Sequence, residues 1–561
     1  MCHHGLHLVG FGDIASEWAG VGAKCRGHAL GGVAVDISDD DARAFVHISQ
    51  CNALAETAAA YGIAAGELTY RDAAARMEAL ALSYRAQGYG RGHRVALLLE
   101  NRPDFFLHWF ALNACGCAVV PINPDLRAAE LAYLLAHSDA VLAVAIAARQ
   151  DDLRAAAPGL AVIGPAALPP AAPTPALPPR DDPADEAALL YTSGTTGRPK
   201  GCIVSHTWFL NCGHWYATLG GRCTLTPGAE RMLTPLPFFH MNAMACSTMG
   251  MVMTGGCLIP LDRFHPATWW HSVAEARASI IHCLGVMPAI LMKLPPSPLE
   301  RSHAVKYAFC PGPDPRLHAE AEARFAIPLI DAWAMTETGA GAVITAQHEP
   351  RRIGHACFGR AEAFMQARVI RDDGSTAAPG EPGELLVRHA GADPRHGFFS
   401  AYLKDQAATA AAWAGGWFHT GDIVSRDAAG DFVFIDRKKN VIRRAGENIA
   451  AVEVEGVLLQ HPAIRAVAVA AVPDALRGDE VLACIVPHAP PADRAALAGD
   501  IVAWCLRLLA YYKAPGYVAF VDALPLTATN KVQRGALKEA AARLQSDPAT
   551  IDTRPLKKRR A

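Results

Sequence analysis

Blocks of helical periodicity alternate with short apolar runs along most of this chain. Residues 68–89 repeat apolar positions at helical spacing up to the glycines at 88 and 90, and the apolar run 94–99 that follows predicts a strand. Residues 103–115 predict a second helix, and residues 117–122 predict a second strand. Helices that alternate with apolar strands are typical of parallel sheets covered by helices, so the pattern indicates an α/β fold.

Two stretches depart from this alternation. Proline and alanine dominate residues 158–179, which lie between two strand-like runs, and this predicts a surface excursion within one domain. Residues 241–261 carry no charge, but polar side chains and the pair Gly255-Gly256 interrupt them. A buried helix, turn and strand fits that segment better than a membrane span, so no stable membrane insertion is expected.

Chain length and charge narrow the classes of function. A chain of 561 residues exceeds what one hydrophobic core supports, which predicts at least two domains, one of them large. The 52 Lys and Arg residues nearly balance the 54 Asp and Glu residues, so no overall field favours a nucleic-acid or membrane-surface partner. The basic run at 557–560 is interpreted as a solvated tail.

The start of the chain and its cysteines bear on the compartment. The first residues lack the basic segment and apolar core of a secretory signal, so a cytoplasmic location is expected. The 15 cysteines show no paired CxxC spacing and are predicted to be reduced, mostly buried thiols. Residues 1–50 show weak periodicity and are interpreted as an N-terminal extension. The sequence leaves the oligomeric state open, a homo-oligomer included.

A loop rich in glycines and hydroxyl groups carries the first chemical signal. It follows the apolar residues 187–191 and precedes the run 202–206, so it is predicted to join two strands. Glycines permit close backbone approach and successive amides form an anion-binding concavity, which together suit a polyphosphate. The Walker spacing is absent, and the alternative is a flexible surface loop. The residues that would serve the phosphates are Thr192, Ser193, Gly194, Thr195, Thr196, Gly197 and Lys200.

The segment from Tyr191 to Gly201 resembles the signature loop of the adenylate-forming superfamily, which contains acyl-CoA synthetases, peptide-synthetase adenylation domains and firefly luciferase. Five further blocks follow in the family's order, so the likeness covers roughly residues 51–540. The resemblance implies a large N-terminal α/β domain, residues 51–438, with two helix-covered sheets and a small barrel-like subdomain. A small mobile α+β C-terminal domain is expected at residues 439–561.

Two of these blocks resemble the family's acyl and adenine sites. Residues 236–240, Leu-Pro-Phe-Phe-His, imply that His240 borders the acyl pocket. Residues 331–339 are similar to the family's Tyr-Gly-x-Thr-Glu segment. That match implies four roles, in which Asp331 faces the adenine edge, Trp333 stacks on adenine, Thr336 contacts the α-phosphate and Glu337 holds Mg²⁺.

Three later blocks resemble the ribose, hinge and lysine segments. Residues 416–422 imply that Asp422 binds the ribose hydroxyls, and the next block implies the same for Arg437. In that block Lys439 stands at the hinge between the domains, and Gly446 lies on the loop that approaches the pantetheine of coenzyme A. The last block implies that Lys531 takes part in the first reaction step.

The resemblance implies a reaction in two steps. A carboxylate attacks the α-phosphorus of MgATP to give acyl-AMP and pyrophosphate, and Lys531 offsets the repulsion between the two anions. No general base is required, because the carboxylate is ionised at neutral pH. A rotation of the small domain then withdraws Lys531 and brings Gly446 over the adenylate, so that a thiol enters. Coenzyme A is the expected thiol, because the chain ends about thirty residues after Lys531 and residues 512–515 resemble a segment of CoA ligases.

Three alternatives share these motifs. A free-standing adenylating enzyme would hand its acyl-AMP to a carrier protein, and a luciferase-type enzyme would oxidise the adenylate. A non-catalytic homologue would only bind a nucleotide or an acyl group. The joint presence of five residues argues against the last alternative, namely Lys200, Glu337, Asp422, Arg437 and Lys531.

The small carboxylic acid is left open between two classes. Residues 278–283 resemble crotonobetaine/carnitine-CoA ligases, whose substrate carries a quaternary ammonium group that an aromatic cage would favour. The candidates for that cage are Trp208, Phe209, Trp215 and Tyr216. Five methionines indicate instead an adaptable apolar pocket for an aliphatic or alicyclic acid, and they stand at positions 241, 244, 249, 251 and 253.

Overall fold

The chain is described here by a computed structural model, which covers residues 59–61, 68–180, 182–192, 198–371, 373–437, 441–525, 532 and 534–557. The predictions for residues 1–50, 193–197, Lys439 and Lys531 fall outside these ranges. Within them, none of the helices combines the length and the apolar character needed to cross a membrane. The cysteines in the described ranges are free thiols and all but the half-buried Cys115 are buried, which confirms that prediction there.

The first large sheet, sheet A, has seven strands within the described residues. Its strands run parallel except for the last pair, and the predicted parallel sheet is confirmed. Ile280 pairs with Met232 on one side and with Tyr307 on the other, and all three are buried, as expected for a sheet covered on both faces. In spatial order the strands are Leu329–Ile330, Tyr307–Phe309, Ile280–His282, Arg231–Thr234, Cys257–Pro260, Ala59–Tyr61 and Leu68–Thr69.

The second large sheet, sheet B, also has seven strands in the described part. Alternate residues of its central strand face two different cores. Val95 and Leu97 pack into the core shared with sheet A, whereas Ala96 and Leu98 pack into a second cluster beneath the outer helices. In spatial order the strands are Ala401–Tyr402, Lys200–Ser205, Glu186–Thr192, Ala118–Pro121, Arg94–Leu98, Ala140–Ala145 and Ala161–Ile163, of which the last five run parallel.

A smaller antiparallel sheet forms the barrel-like subdomain that the resemblance implies. Phe358, Phe418 and Phe432 point from it into the core shared with sheets A and B, so the three sheets make one large domain. Its strands in spatial order are Cys357–Gly359, Phe432–Arg437, Phe418–Arg426, Gly383–His389 and Met365–Ile370. A separate two-stranded pair, Ala332–Trp333 with Ile344–Thr345, leads towards it.

The C-terminal part has a core of its own. Alternate residues of its longest strand face opposite sides: Val467 and Val469 belong to one apolar cluster, and Ala468 and Ala470 belong to another. Its strands are Val441–Arg444, Glu447–Ala450, Ile464–Asp474, Gly478–Pro487, Tyr517–Phe520 and Ile551–Asp552. A large and a small domain are therefore present, and the boundary at 438–439 stays a prediction because residues 438–440 lie outside the described ranges.

The helices begin and end close to the predicted positions. Tyr70–Ala86 starts after Thr69, whose hydroxyl accepts a hydrogen bond from the backbone N–H of Asp72, and it stops before Gly88. The other helices are Pro103–Ala114, Ala128–Ser138, Gln150–Ala156, His206–Thr218, Thr248–Thr254, Trp269–Glu275, Val286–Met292, His318–Phe325, Gln406–Ala412, Ala451–Leu458, Arg494–Leu508 and Arg534–Gln545. A π-helical turn, Asn242–Ser247, precedes Thr248–Thr254 and leads into the predicted turn and strand.

Residues 158–179 run mostly exposed over the surface, as predicted.

The prediction of a solvated C-terminal tail is wrong for Lys557. Its Nζ is buried and donates to Glu480 Oε1 at 2.6 Å, while Arg444 Nε donates to Glu480 Oε2 at 2.8 Å. Burial, with the Arg444 charge adding to it, lowers the pKa of Lys557 to about 7. Lys557 packs onto the small domain because the buried Glu480 carboxylate binds both basic side chains, a partner that composition does not reveal.

Candidate active site

The predicted phosphate loop joins two neighbouring antiparallel strands of sheet B. The strand Glu186–Thr192 ends at the residue that pairs with Lys200, and Lys200 begins the next strand. These flanks confirm the prediction of a loop between two strands, whereas the centre of the loop, residues 193–197, lies outside the described ranges. Thr192 and Lys200 mark the base of the loop.

The Glu337 carboxylate lies at the base of this loop. Its Oε1 accepts hydrogen bonds from Tyr402 Oη at 2.9 Å and from Thr192 Oγ1 at 3.4 Å, and the side chain is buried. Lys200 Nζ lies 4.7 Å from the centre of the Tyr402 ring and 3.9 Å from Asp405 Oδ2. A hard oxygen ligand, a hydroxyl and a lysine therefore converge, the combination that a magnesium-bound polyphosphate needs.

Sequence reasoning missed Tyr402 and Asp405. Tyr402 lies on the edge strand of sheet B, where it pairs with Cys202, and Asp405 follows in the next turn. Burial and the charge of Glu337 raise the pKa of Tyr402, so the phenol keeps its proton and donates a hydrogen bond to the Glu337 carboxylate. No spacing rule could have found this residue, because the contact forms between strands far apart in the sequence.

Thr336 and Glu337 lie in the turn after the short strand Ala332–Trp333. Two hydrogen bonds fix this turn: the Phe399 N–H donates to the backbone oxygen of Glu337 at 2.9 Å, and the Met335 N–H donates to Thr338 Oγ1 at 3.0 Å. Thr336 is half-buried beside the carboxylate. Thr336 directly precedes Glu337 in this turn. Its contact with the α-phosphate stays a prediction.

Trp333 and Asp422 meet directly. The indole Nε1 of Trp333 donates to Asp422 Oδ2 at 2.8 Å, and both residues are buried. Asp422 stands opposite Arg437 in the pairing of two strands of the barrel-like subdomain, so the two predicted ribose ligands occupy adjacent positions on the sheet. The hydrogen bond orients the Asp422 carboxylate through the indole, a link that the sequence does not indicate.

Asp331 lies at the carboxyl end of a strand of sheet A. Its Oδ1 accepts hydrogen bonds from the backbone N–H groups of Gly312 and Ala332, each at 2.8 Å. Burial raises the pKa of Asp331 to about 7, although these two hydrogen bonds oppose the shift. Gly312 has a φ of 70°, in the region that favours glycine, so the loop after Cys310 presents its amide to this carboxylate.

The Asp331→Asn variant is expected to be more stable than the wild type at pH 8, by roughly 1–3 kcal/mol, and equally stable near pH 4. The folded protein holds the Asp331 proton up to a pKa of about 7, whereas the unfolded chain releases it near 3.8, so wild-type stability falls as the pH rises between these values. The asparagine oxygen still accepts both backbone hydrogen bonds. Thermal melts across that pH range measure the difference, and a pH-independent difference would contradict the assignment.

A loop of the small domain lies against the predicted acyl-pocket residue of the large domain. Glu447 Oε2 is 3.4 Å from His240 Nε2. Gly446 has a φ of 90°, and a Cβ atom there would lie 2.4 Å from Leu284 Cδ1. The structure therefore brings the predicted pantetheine loop to the place where His240 stands, and only glycine fits at position 446 without a shift of Leu284.

Ala445 is expected to store backbone strain. Its φ is 51°, a left-handed conformation that costs an L-residue roughly 1–2 kcal/mol. The Ala445→Gly variant should therefore gain about 0.5–1 kcal/mol of stability, since part of the relief is lost to the greater freedom of glycine in the unfolded chain. Urea denaturation measures the gain. Ala496→Gly, at an exposed helical position, is the matched control and should destabilise the protein.

The four aromatic residues proposed for a cage do not form one. Trp208, Phe209, Trp215 and Tyr216 lie on the helix His206–Thr218 and are buried in the core of the large domain. Each ring makes edge-on or tilted contacts with another core aromatic ring, as expected for side chains that fill a core. Three of the five methionines are core residues as well, at 244, 249 and 251, whereas Met241 is half-buried next to His240.

A buried polar network underlies the π-helical turn and was not expected from the sequence. His282 Nδ1 lies 2.7 Å from Ser247 Oγ and 2.9 Å from Asn242 Oδ1, and its Nε2 lies 2.6 Å from Tyr216 Oη. Burial lowers the pKa of His282 to about 3, so the ring is neutral. The network fixes the segment that follows His240, because each polar atom in it has a partner.

Comparisons with known proteins agree with this geometry. The chain matches the family model described as AMP-binding enzyme over residues 49–394 and the one described as AMP-binding enzyme C-terminal domain over residues 453–531. A relative, the crotonobetaine/carnitine–CoA ligase of Escherichia fergusonii, is 30% identical over 491 residues, which cover 80% of this chain and 89% of that protein.

The solved structures that it resembles include one enzyme in two forms. A double mutant of o-succinylbenzoate CoA synthetase from Bacillus subtilis, bound with its product analogue OSB-NCoA, gives a TM-score of 0.76 at 26% identity and covers 88% of this chain and 98% of that one. The same enzyme in complex with AMP gives a TM-score of 0.61 at 25% identity, with coverages of 88% and 97%. The chain therefore belongs to the AMP-binding enzyme family, and both the adenylate-forming resemblance and the likeness to crotonobetaine/carnitine-CoA ligases are confirmed.

Proposed function

We infer that this member of the family is an AMP-forming acid:CoA ligase, which activates a small carboxylic acid with ATP and transfers the acyl group to coenzyme A. The observation that carries the inference is the convergence of Thr192, Lys200 and Glu337 at the base of the phosphate loop. A phosphate loop alone would suit any nucleotide-binding protein. The buried carboxylate beside it adds the metal ligand that a reaction at phosphorus requires.

In the first step the substrate carboxylate attacks the α-phosphorus, the bond to the bridging oxygen of the β-phosphate breaks, and pyrophosphate leaves. Thr192 and Lys200 would hold the phosphate oxygens. Glu337 would hold Mg²⁺, and its buried carboxylate beside a hydroxyl fits such a hard cation, which when bound supplies positive charge to the phosphates. Lys531 would lie between the two reacting anions. No proton transfer is needed in this step, because the substrate carboxylate is already ionised.

In the second step the thiol of coenzyme A releases its proton to water and its sulfur attacks the acyl carbon, the bond from that carbon to the phosphate oxygen breaks, and AMP leaves with the electron pair. The small-domain loop with Gly446 supports this step, because it lies against Leu284 and near His240. A side chain at 446 would require the end of the Leu284 side chain to move.

The nucleoside would lie between sheet A and the barrel-like subdomain. Asp331 stands at the carboxyl end of a sheet A strand, the end at which α/β sheets bind ligands. Asp422 and Arg437 stand side by side on the barrel-like sheet, where they would take the ribose hydroxyls, and Trp333 connects to Asp422 by its indole N–H. The division of the chain near residue 438 is part of the same proposal.

An aliphatic or alicyclic acid is the substrate class that we propose. The curated relative is named for crotonobetaine and carnitine, but the four aromatic residues considered for a quaternary-ammonium cage are core residues here. Met241, half-buried beside His240, offers an adaptable apolar contact instead.

The release of AMP from ATP, measured with and without coenzyme A across a panel of acids, tests this function. Carnitine and crotonobetaine should be poor substrates beside short aliphatic and alicyclic acids. Turnover should require coenzyme A. If pyrophosphate forms but AMP stays on the protein with every acid, the acceptor is a carrier protein or another nucleophile, and the ligase proposal fails.

A further inference from the structure

We propose that Lys513 is a positioning residue that holds the small domain in the orientation for thioester formation, through an ion pair with Glu130 of the large domain. The proposal rests on the proposed function. Lys513 Nζ donates to Glu130 Oε1 at 2.5 Å and to Glu453 Oε1 at 2.8 Å. The side chains of the three residues are only 7%, 9% and 12% exposed, so the cluster is closed to solvent.

Glu130 is preset to receive this lysine. It lies in the first turn of the helix Ala128–Ser138, and its Oε2 accepts a hydrogen bond from the backbone N–H of Arg127 at 3.0 Å. This capping bond fixes one carboxylate oxygen and leaves the other to face the small domain. The acceptor of the interdomain bond therefore needs no rearrangement when the domains meet.

The two carboxylates that bind Lys513 lie in different domains, so only one of them loses its contact with Lys513 when the domains separate. Glu453 belongs to the small-domain helix Ala451–Leu458 and moves with Lys513, whereas Glu130 belongs to the large domain. Burial opposes the charge of Lys513, but the Glu130 and Glu453 carboxylates raise its pKa above the usual range. Separation would leave the Lys513–Glu453 pair intact and break the bond from Lys513 to Glu130, so that bond acts on orientation rather than on the fold of the small domain.

The neighbouring residue makes a second contact across the same junction. Asn123 Nδ2 donates to Tyr512 Oη at 3.0 Å, and both residues are buried. Tyr512 packs in the same small-domain cluster as Ile442 and Ile449, which flank the loop that carries Gly446. The junction and this loop therefore belong to one packed unit, and the ion pair at Lys513 fixes the placement of the loop against Leu284.

Agreement with the two forms of the B. subtilis synthetase fits this assignment. The matched 88% of the chain gives a TM-score of 0.76 with the double mutant bound to the coenzyme A product analogue and of 0.61 with the form in complex with AMP. The ion pair is a feature of the orientation that places Gly446 at the acyl-pocket histidine. In the orientation that serves adenylate formation, Lys513 needs no contact with Glu130.

The test separates the two half-reactions in Lys513→Met and Glu130→Gln. Adenylate formation is followed by ATP–pyrophosphate exchange without coenzyme A, and thioester formation by the decay of enzyme-held acyl-AMP after coenzyme A is added. Both variants should slow thioester formation ~10-fold and leave exchange within about twofold, since one orientation loses stability relative to the other. Glu130→Gln keeps an oxygen for the helix cap, so it tests the pair even if Lys513→Met fails to fold.

Lys306→Met is the matched control. Its Nζ lies 2.6 Å from the buried Glu230 inside the large domain. This variant therefore also removes the cation from a buried carboxylate, but the ion pair that it removes does not join the two domains. It should leave the ratio of the two half-reaction rates unchanged. Equal slowing of both half-reactions in Glu130→Gln, or no change in either, overturns the positioning role, whereas a wild type that gives no exchange with any acid overturns the proposed function itself.

Discussion

The Lys531→Ala variant is expected to form acyl-adenylate ~10²–10³-fold more slowly than the wild type. The reason is electrostatic: a carboxylate anion must approach a phosphorus surrounded by negative oxygens, and Lys531 is the cation that we propose lies between them. The thioester step should be nearly unaffected, because in the proposed second step the small domain would already have withdrawn this lysine. ATP–pyrophosphate exchange measures the first effect, and single-turnover transfer from isolated acyl-AMP measures the second.

Lys538→Ala provides the control for Lys531. Lys538 is exposed on the helix Arg534–Gln545, so its replacement removes the same charge from the same domain without reaching the site. It should leave both half-reactions near their wild-type rates. A similar loss in both variants would mean that the net charge of the domain matters and not one lysine. A loss in the thioester step alone would reverse the assigned role of Lys531.

The Glu337→Gln variant is expected to lower kcat/KM for MgATP by ~10²-fold and to raise the magnesium concentration that supports half-maximal rate. The amide oxygen of glutamine still accepts the hydrogen bonds from Tyr402 and Thr192, so the turn should keep its shape while the charge is lost. Magnesium titrations of ATP–pyrophosphate exchange measure this effect.

Tyr402→Phe separates the charge of Glu337 from its orientation. This variant keeps the carboxylate but removes the phenol that donates to it at 2.9 Å. The expected loss in kcat/KM for MgATP is about tenfold or less, because the carboxylate keeps its charge and loses only the hydrogen bond that orients it. If Tyr402→Phe is as damaging as Glu337→Gln, the carboxylate acts through its neighbours and not as a metal ligand.

The parts of the site carried by local motifs could be predicted from the sequence. The loop flanks at Thr192 and Lys200 follow from apolar runs on either side of a glycine-rich segment, and strand pairing puts them where the motif requires. Glu337 follows from its place in an ordered series of blocks. The parallel order of the large sheets follows from alternating helical and apolar segments, because such segments have few ways to cover one another.

The parts that depend on distant pairings could not be predicted. Tyr402 reaches Glu337 only because an edge strand closes on the strand after the phosphate loop. Lys557 looked like part of an exposed basic tail, and its burial depends on Glu480 and Arg444. The same limit applies to Lys513 and Glu130, which are 383 positions apart and meet only when two domains dock.

The four aromatic residues of the helix His206–Thr218 show a different limit of prediction from sequence. Their spacing on a helix fits a cage and a core equally well, since period alone does not say which neighbour a helix face meets. Trp208 and Tyr216 are fully buried, which shows that tertiary packing places them in the core. The proposed substrate class therefore rests on side chains that stay half-buried, such as His240 and Met241, rather than on composition.

We expect this one chain to perform both adenylation and thioester formation with coenzyme A. Mass spectrometry of the products after incubation with ATP, Mg²⁺, coenzyme A and the acid panel tests both steps at once. Acyl-CoA and AMP should appear in equal amounts, with pyrophosphate, for at least one aliphatic or alicyclic acid. Acyl-AMP and pyrophosphate without any acyl-CoA, or no adenylate with any acid, would contradict this expectation.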